Sequence, residues 1–259
     1  MGNESIELSF LSIFTLITFF IFLIVSKYSF KIKNGILLDQ DFSKPQAFHL
    51  SAVSRSGGIA GIISLNIFFI VHYLIYSKVL YDYIFISNLM FLVGFLDDIK
   101  IKLTPLKRLI LMIFFLVILI NFIPIKILNI DIPFLTKFLQ NNILSSAFVL
   151  LCFLFIINGA NLIDGFNGLL AINLIIINSI LVYINIVSEN NEFSVFIVAQ
   201  IIILLSFLLF NFPKAKIFLG DSGAYLMGSL VALNTIITNN LNPNYSSFFF
   251  CILLFYLFF

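Results

Sequence analysis

Long apolar runs separated by short polar breaks dominate the chain from end to end. A helix needs about 20 residues, mostly apolar, to cross the ~30 Å hydrocarbon layer of a bilayer. The pattern predicts such spans at Leu8–Ser26, Gly57–Tyr76, Tyr83–Leu96, Pro105–Ile123, Ile143–Ile157, Leu169–Val187, Phe193–Phe210 and Ser222–Asn239. The third and fifth are short and are expected to extend into their flanks. The fourth has good start chemistry, because Thr104 can cap it and Pro105 suits the first helical position. A ninth apolar run begins near Ser247 and is only thirteen residues long where the chain stops at Phe259. The expected fold is therefore all-α and polytopic, with eight complete transmembrane helices and a truncated ninth. Residues 1–259 read as a single transmembrane domain, C-terminally incomplete. Between the fourth and fifth spans Ile125, Ile127, Ile130 and Ile132 roughly alternate with Lys126, Asn129 and Asp131, which predicts a small extended or hairpin element on the outer face.

Composition agrees with the pattern. Apolar residues make up 61% and charged residues 10%, against roughly 45–50% and about 25% in soluble domains. Glu4 and Glu7 precede the first run where a signal peptide would carry positive charge, so that run reads as a span. With the N-terminus outside, every Lys and Arg except Lys78, Lys126 and Lys137 falls on inner segments, which is the distribution the positive-inside rule demands. Cys152 and Cys251 sit inside apolar runs and read as small buried hydrophobes, not as a disulfide or metal framework. Nothing in the composition suggests a nucleic-acid partner.

Three polar clusters interrupt the apolar pattern, all on the inner face. The first, Gly94-Phe95-Leu96-Asp97-Asp98-Ile99-Lys100, holds two adjacent carboxylates, which repel unless a cation or a shared proton lies between them. Neighbours on a helix point about 100° apart, so the pair is expected to divide two roles. The plain alternative is a solvated helix end balanced by Lys100 and Lys102. The second, Asn158 to Gly168, forms the whole connection between the fifth and sixth spans. A turn does not need its three Asn and one Asp at near-regular spacing, and such groups suit a sugar, a uracil or a phosphate. The third, Phe218-Leu219-Gly220-Asp221-Ser222-Gly223, puts Asp221 where a helix cap belongs. The first inner loop adds Lys44-Pro45, His49 and Arg55-Ser56-Gly57-Gly58, basic groups beside glycine-rich backbone that suit a phosphate. Acids from three loops on one face, beside a basic loop, point to one shared site. A transporter or ion-coupled channel places ionisable residues at membrane depth. Past the interfacial first turn of the fourth helix the spans hold no Asp, Glu, Lys or Arg, which counts against transport.

The clusters GFLDDIK, NGANLIDGFNGLL and FLGDSGAYLMG, with SRSGGIAG upstream, resemble glycosyltransferase family 4, the polyprenyl-phosphate N-acetylhexosamine-1-phosphate transferases. The resemblance runs from about residue 39 to the end of the chain. It implies a multi-pass enzyme of the bacterial inner membrane with a cytoplasmic active site and magnesium as cofactor. Such an enzyme moves a sugar-1-phosphate from a UDP-sugar to undecaprenyl phosphate and releases UMP. On this resemblance Asp97 and Asp98 are the catalytic pair near the lipid phosphate and Asp221 binds the magnesium. Asn161 and Asp164 face the nucleotide and diphosphate, and Asn158, Asn167, Arg55, Lys44 and Lys100 complete the substrate-binding set. Asn167 departs from the pattern, standing where many members have a second aspartate. The family's histidine-rich loop would lie beyond Phe259. A GlcNAc-type sugar starting an O-antigen or similar envelope glycan is the first expectation and phospho-MurNAc-pentapeptide transfer the alternative. A homodimer is a family-level expectation, and a non-catalytic truncated remnant is the reading of another class.

Overall fold

The computed structural model describes residues 2–29, 36–39, 52–99, 101, 103–123, 125–128 and 130–255. The expectations for Lys44, His49 and Lys100 lie outside these residues. Helices in chain order are α1 (Gly2–Tyr28), α2 (Gly57–Tyr76), α3 (Tyr81–Asp98), α4 (Pro105–Phe122), α5 (Pro133–Leu139), α6 (Asn142–Ile163), α7 (Leu169–Val187), α8 (Asn191–Asn211), α9 (Gly220–Leu241) and α10 (Ser247–Phe255). All but α5 and α10 match the eight spans expected from the sequence, and α10 begins where the ninth run does. α1, α2, α4, α6, α7 and α8 are long and apolar enough to cross a membrane. α3 and α9 are the more polar pair, with lengths of about 27 and 33 Å at 1.5 Å per residue. The start of α4 is as anticipated, with the Thr104 hydroxyl accepting from the Lys107 N–H at 3.4 Å and Pro105 in the first turn.

α9 is the axis of the bundle, packed against α2, α3, α6 and α7 and buried along nearly its whole length. Encasement by protein explains its composition, since a helix that meets no lipid can carry Ser, Thr, Asn and Gly. Small residues let neighbouring backbones come close. A Cβ on Gly228 would meet Ala160 Cβ at 2.9 Å and Ile157 Cα at 3.1 Å. Halfway along, the Asn234 amide donates to Asn178 at 3.1 Å and to Gln200 at 2.8 Å, and its oxygen accepts from the Tyr83 hydroxyl at 2.9 Å. This buried knot ties α3, α7 and α8 to α9 where no water is at hand to satisfy polar groups.

Three expectations need correction. α6 runs on to Ile163, so the Asn158 cluster is not all loop; its first half is the last turn and a half of a helix held against α9. The outer segment is not a strand pair. Residues 125–128 carry no ladder among the described residues, and their backbone is held by a side chain, with Asn240 accepting from Leu128 N–H at 3.0 Å and donating to Lys126 C=O at 2.7 Å. Pro133 then opens the short helix α5. Both cysteines are free as expected, but Cys152 is only half-buried and Cys251 is exposed.

Among the described residues, sheet is limited to β1 (Leu38–Asp39) paired antiparallel with β2 (Val53–Ser54). β2 also bridges to Ile217, and Phe218 N–H donates to Ser54 C=O at 2.8 Å. This join fastens the first loop to the α8–α9 connection and sets Arg55 at the start of α9.

Candidate active site

The basic end of the bundle gathers the acids. Asp97 is on the last turn of α3, Asp221 on the first turn of α9 and Arg108 on the first turn of α4. A single atom, Arg108 Nη1, lies 2.9 Å from Asp97 Oδ2 and 3.1 Å from Asp221 Oδ2. The same nitrogen is 3.3 Å from the Tyr225 hydroxyl, which also accepts from Asn161 Nδ2 at 3.4 Å. Tyr225 follows Asp221 by four residues and so shares its helix face. Two carboxylates from different helices thus converge on one positive centre, with a phenol and an amide beside it. Close approach is built into the backbone. A Cβ on Gly94 would collide with the backbone C and O of Asp221, so α3 reaches α9 only through a glycine.

Asp98 does something different from its neighbour. Its side chain is fully buried. Oδ1 accepts from the Asp221 N–H at 3.0 Å and Oδ2 from the Ser222 N–H at 2.9 Å. These are orphan donors of the α9 N-terminus, and α9 has no side-chain cap of its own. The cap comes from α3, so Asp221 does not fill the capping role that its position suggested. Gly220 makes room, at φ 76°, where a Cβ would press on both Asp98 oxygens at 2.7 and 2.9 Å. Arg55 Nη1 stands 3.8 Å from Asp98 Oδ1, while its Nη2 pairs with Asp39 at 2.7 Å. Burial works against the Arg55 charge, but the hydrogen bond and charge of Asp39, with Asp98 and Asp221 behind it, outweigh that and raise its pKa.

Asp164 caps the C-terminal end of α6, half-buried. Burial first, then the negative charges of Asp221 and Asp98, push its carboxyl well above the usual range, with Arg55 opposing. A carboxyl held this way is short of positive charge.

A family model described as glycosyl transferase family 4 matches residues 79–239, which include the acids from α3, α6 and α9. The chain belongs to this family. Among similar curated proteins, a phospho-N-acetylmuramoyl-pentapeptide-transferase of Clostridium beijerinckii is 32% identical over 149 residues, 54% of this chain and 46% of that protein. The protein of the same name from Streptococcus sanguinis is 33% identical over 162 residues, 59% of this chain and 49% of the relative. That from Leuconostoc citreum is 40% identical over 80 residues, 31% and 25% of the two chains. The chain spans about half the length of the curated relatives it matches. Family membership and six membrane-capable helices make this family member a multi-pass protein of the bacterial inner membrane.

Within this family member, the expected residues separate into groups. Asp97, Asp221, Asn161 and, at longer range, Asp164, Asp98 and Arg55 share one neighbourhood. Asn158 turns its amide back to the Leu154 carbonyl at 2.7 Å, on its own helix. Asn167 donates to the Pro213 carbonyl at 3.1 Å and, with Asn211 accepting from Gly168 N–H at 2.6 Å, fastens the α6–α7 turn to the α8–α9 connection. Arg108 and Tyr225 are the members that sequence reasoning passed over. Tyr225 was within reach of the i, i+4 rule from Asp221. Arg108 sits on the interfacial first turn of the fourth span, and only the packing of α4 beside α3 brings it to the acids.

Proposed function

We propose that the protein transfers a sugar-1-phosphate, of the N-acetylhexosamine class, from a UDP-sugar to undecaprenyl phosphate at the cytoplasmic face of the membrane. An oxygen of the lipid phosphate attacks the sugar-bearing phosphorus; the phosphoanhydride to the nucleotide breaks and UMP leaves with the electron pair. The observation that carries this reading is the convergence of Asp97 and Asp221 on one positive centre at the basic end of a family 4 membrane fold.

Magnesium fits the donor set. The ion commonly takes one or two protein carboxylates and completes its shell with substrate phosphates and water. Two carboxylate oxygens, Asp97 Oδ2 and Asp221 Oδ2, already face a single cationic atom, and no group of three or more His, Cys, Asp or Glu side chains among the described residues forms an all-protein cage. Asp221 and Asp97 are the residues that would hold the ion, and when bound it offsets phosphate repulsion and stabilises charge on the transferred phosphoryl group.

The chain's own groups supply the remainder. Arg108, between Asp97 and Asp221, and Arg55, beside Asp98, add positive charge among the acids, favouring the approach of an anionic donor and an anionic acceptor. Asn161 and Tyr225 offer neutral hydrogen bonds that suit a sugar or a diphosphate oxygen. Asp98 is a positioning residue, since both its oxygens are engaged by α9 and it has no free face toward a substrate. A covalent aspartyl-phosphate route would therefore have to run through Asp97, and the direct single step needs neither residue as nucleophile.

The relatives' names favour phospho-MurNAc-pentapeptide as the transferred group over the GlcNAc type expected first from the sequence. UMP release from a panel of UDP-sugars with undecaprenyl phosphate tests both the reaction and the donor. Asp221→Asn is expected to cut turnover by orders of magnitude, with little recovery at high magnesium. No UMP from any donor would overturn the proposal. A reporter fused after Lys216 is expected in the cytoplasm and one within 188–192 outside; the reverse would refute the assigned face.

A further inference from the structure

We infer that Arg108 is a stand-in for the divalent cation, holding Asp97 and Asp221 together in the cation-free protein and giving way when the ion enters. The inference rests on the cation site proposed above and adds a competitor to it. Two carboxylates that face one point repel unless a cation or a shared proton lies between them, and the hydrogen bond between the Asp97 and Asp221 carboxyls leaves room for either. Here the positive charge is Arg108 Nη1, at 2.9 and 3.1 Å from the two oxygens. One nitrogen serving two carboxylates and the Tyr225 hydroxyl, at 3.3 Å, occupies the place of a small ion more than that of a forked, bidentate partner.

Its location lets it leave. Arg108 is on the first turn of α4, its side chain is 22% exposed, and the adjoining Leu106 and Lys107 are exposed. A long flexible side chain at the water-facing end of a helix can withdraw its head to solvent without unpacking apolar surface. Arg55, the other cation nearby, is held by Asp39 and lies beside Asp98, so it does not take over between Asp97 and Asp221.

Two consequences follow. The guanidinium keeps α3, α4 and α9 docked while the site awaits its ion, and it weakens cation binding because the ion must displace a like charge. Removing it should tighten binding and make the fold depend on the ion.

The test uses manganese as the probe, with binding followed by electron paramagnetic resonance on the full chain in detergent and thermal unfolding measured alongside. Arg108→Gln is expected to lower the manganese Kd by roughly tenfold or more. It should also lower the unfolding midpoint in chelator, with a larger rise on adding manganese than in the unmodified protein. Equal or weaker binding in Arg108→Gln, with the unmodified protein binding normally, overturns the stand-in role. Absence of binding in both, together with no effect of Asp221→Asn, overturns the cation site and this inference with it. Should Arg108→Gln not fold, Arg108→Lys decides. A point charge on a shorter reach serves both carboxylates less well, so its Kd should fall a few-fold, and an unchanged value overturns the inference.

Discussion

Asp97 and Asp98 are neighbours with opposite surroundings, and exchanging each for Asn should separate fold from chemistry. Asp98 is fully buried, with its two oxygens 3.0 and 2.9 Å from the Asp221 and Ser222 amides. Asn retains one acceptor and turns an NH₂ toward the other N–H, so one charge-assisted bond is lost and a buried donor is left unpaired. Hydrogen bonds to charged groups contribute about 1.5–3 kcal/mol each. Arg55, at 3.8 Å, loses part of its counter-charge as well. We expect Asp98→Asn to cost about 3 kcal/mol, roughly a hundredfold in the folding equilibrium. Asp97 has a side chain 21% exposed and pairs with Arg108, with the Asp221 carboxyl beside it. A partly exposed pair is worth about 0–1 kcal/mol. Asp97→Asn should therefore fold nearly as the unmodified protein does and lose most of its UMP release. Unfolding of the solubilised protein can be followed by tyrosine fluorescence, since the chain has nine Tyr and no Trp. If Asp98→Asn is as stable as the unmodified protein, or Asp97→Asn is destabilised equally, the division of roles is wrong.

Gly94→Ala forces a methyl into the Asp221 backbone; overpacking costs about 1–3 kcal/mol, and a shift of about 1 Å between reacting groups can cost about a hundredfold in rate. Normal UMP release from that variant would refute the close approach of α3 and α9. Asn234→Ala strips the buried knot of its hub, and at about 0.6 kcal/mol per interhelical bond the unfolding midpoint should fall by the equivalent of roughly 2 kcal/mol. The site is thirteen residues away along α9, so turnover per folded molecule should hold, and an unchanged midpoint would count against the knot as a tie. Asp164 has a raised pKa in the fold, so its contribution is full below its unfolded value of about 3.9 and is lost as pH rises toward the folded value. Asp164→Asn should therefore stabilise the protein at neutral pH in chelator and give no gain near pH 4, as read from unfolding midpoints across that range; destabilisation at neutral pH would contradict the sign.

Transfer of apolar side chains into lipid and the closing of helical hydrogen bonds are local matters, so the spans, the Thr104-Pro105 start of α4 and the run beginning at Ser247 were legible in the linear pattern. Loop parity also collected Asp97, Asp98, Asp164 and Asp221 on one face. The hairpin reading of 125–132 failed for the converse reason: alternation describes a paired strand only where a partner strand exists, and among the described residues Asn240 takes the backbone groups of Lys126 and Leu128 instead. Likewise the regular Asn spacing in the 158–168 cluster did not reveal that Asn158 bonds its own helix and Asn167 the Pro213 carbonyl. Which of Asp97 and Asp98 takes which role, the capping of α9 by a residue of α3 and the arrival of Arg108 between two acids belong to the tertiary structure alone. Each depends on which donor meets which acceptor across a helix interface, and that is set by how closely small residues such as Gly94 and Gly220 allow the backbones to approach.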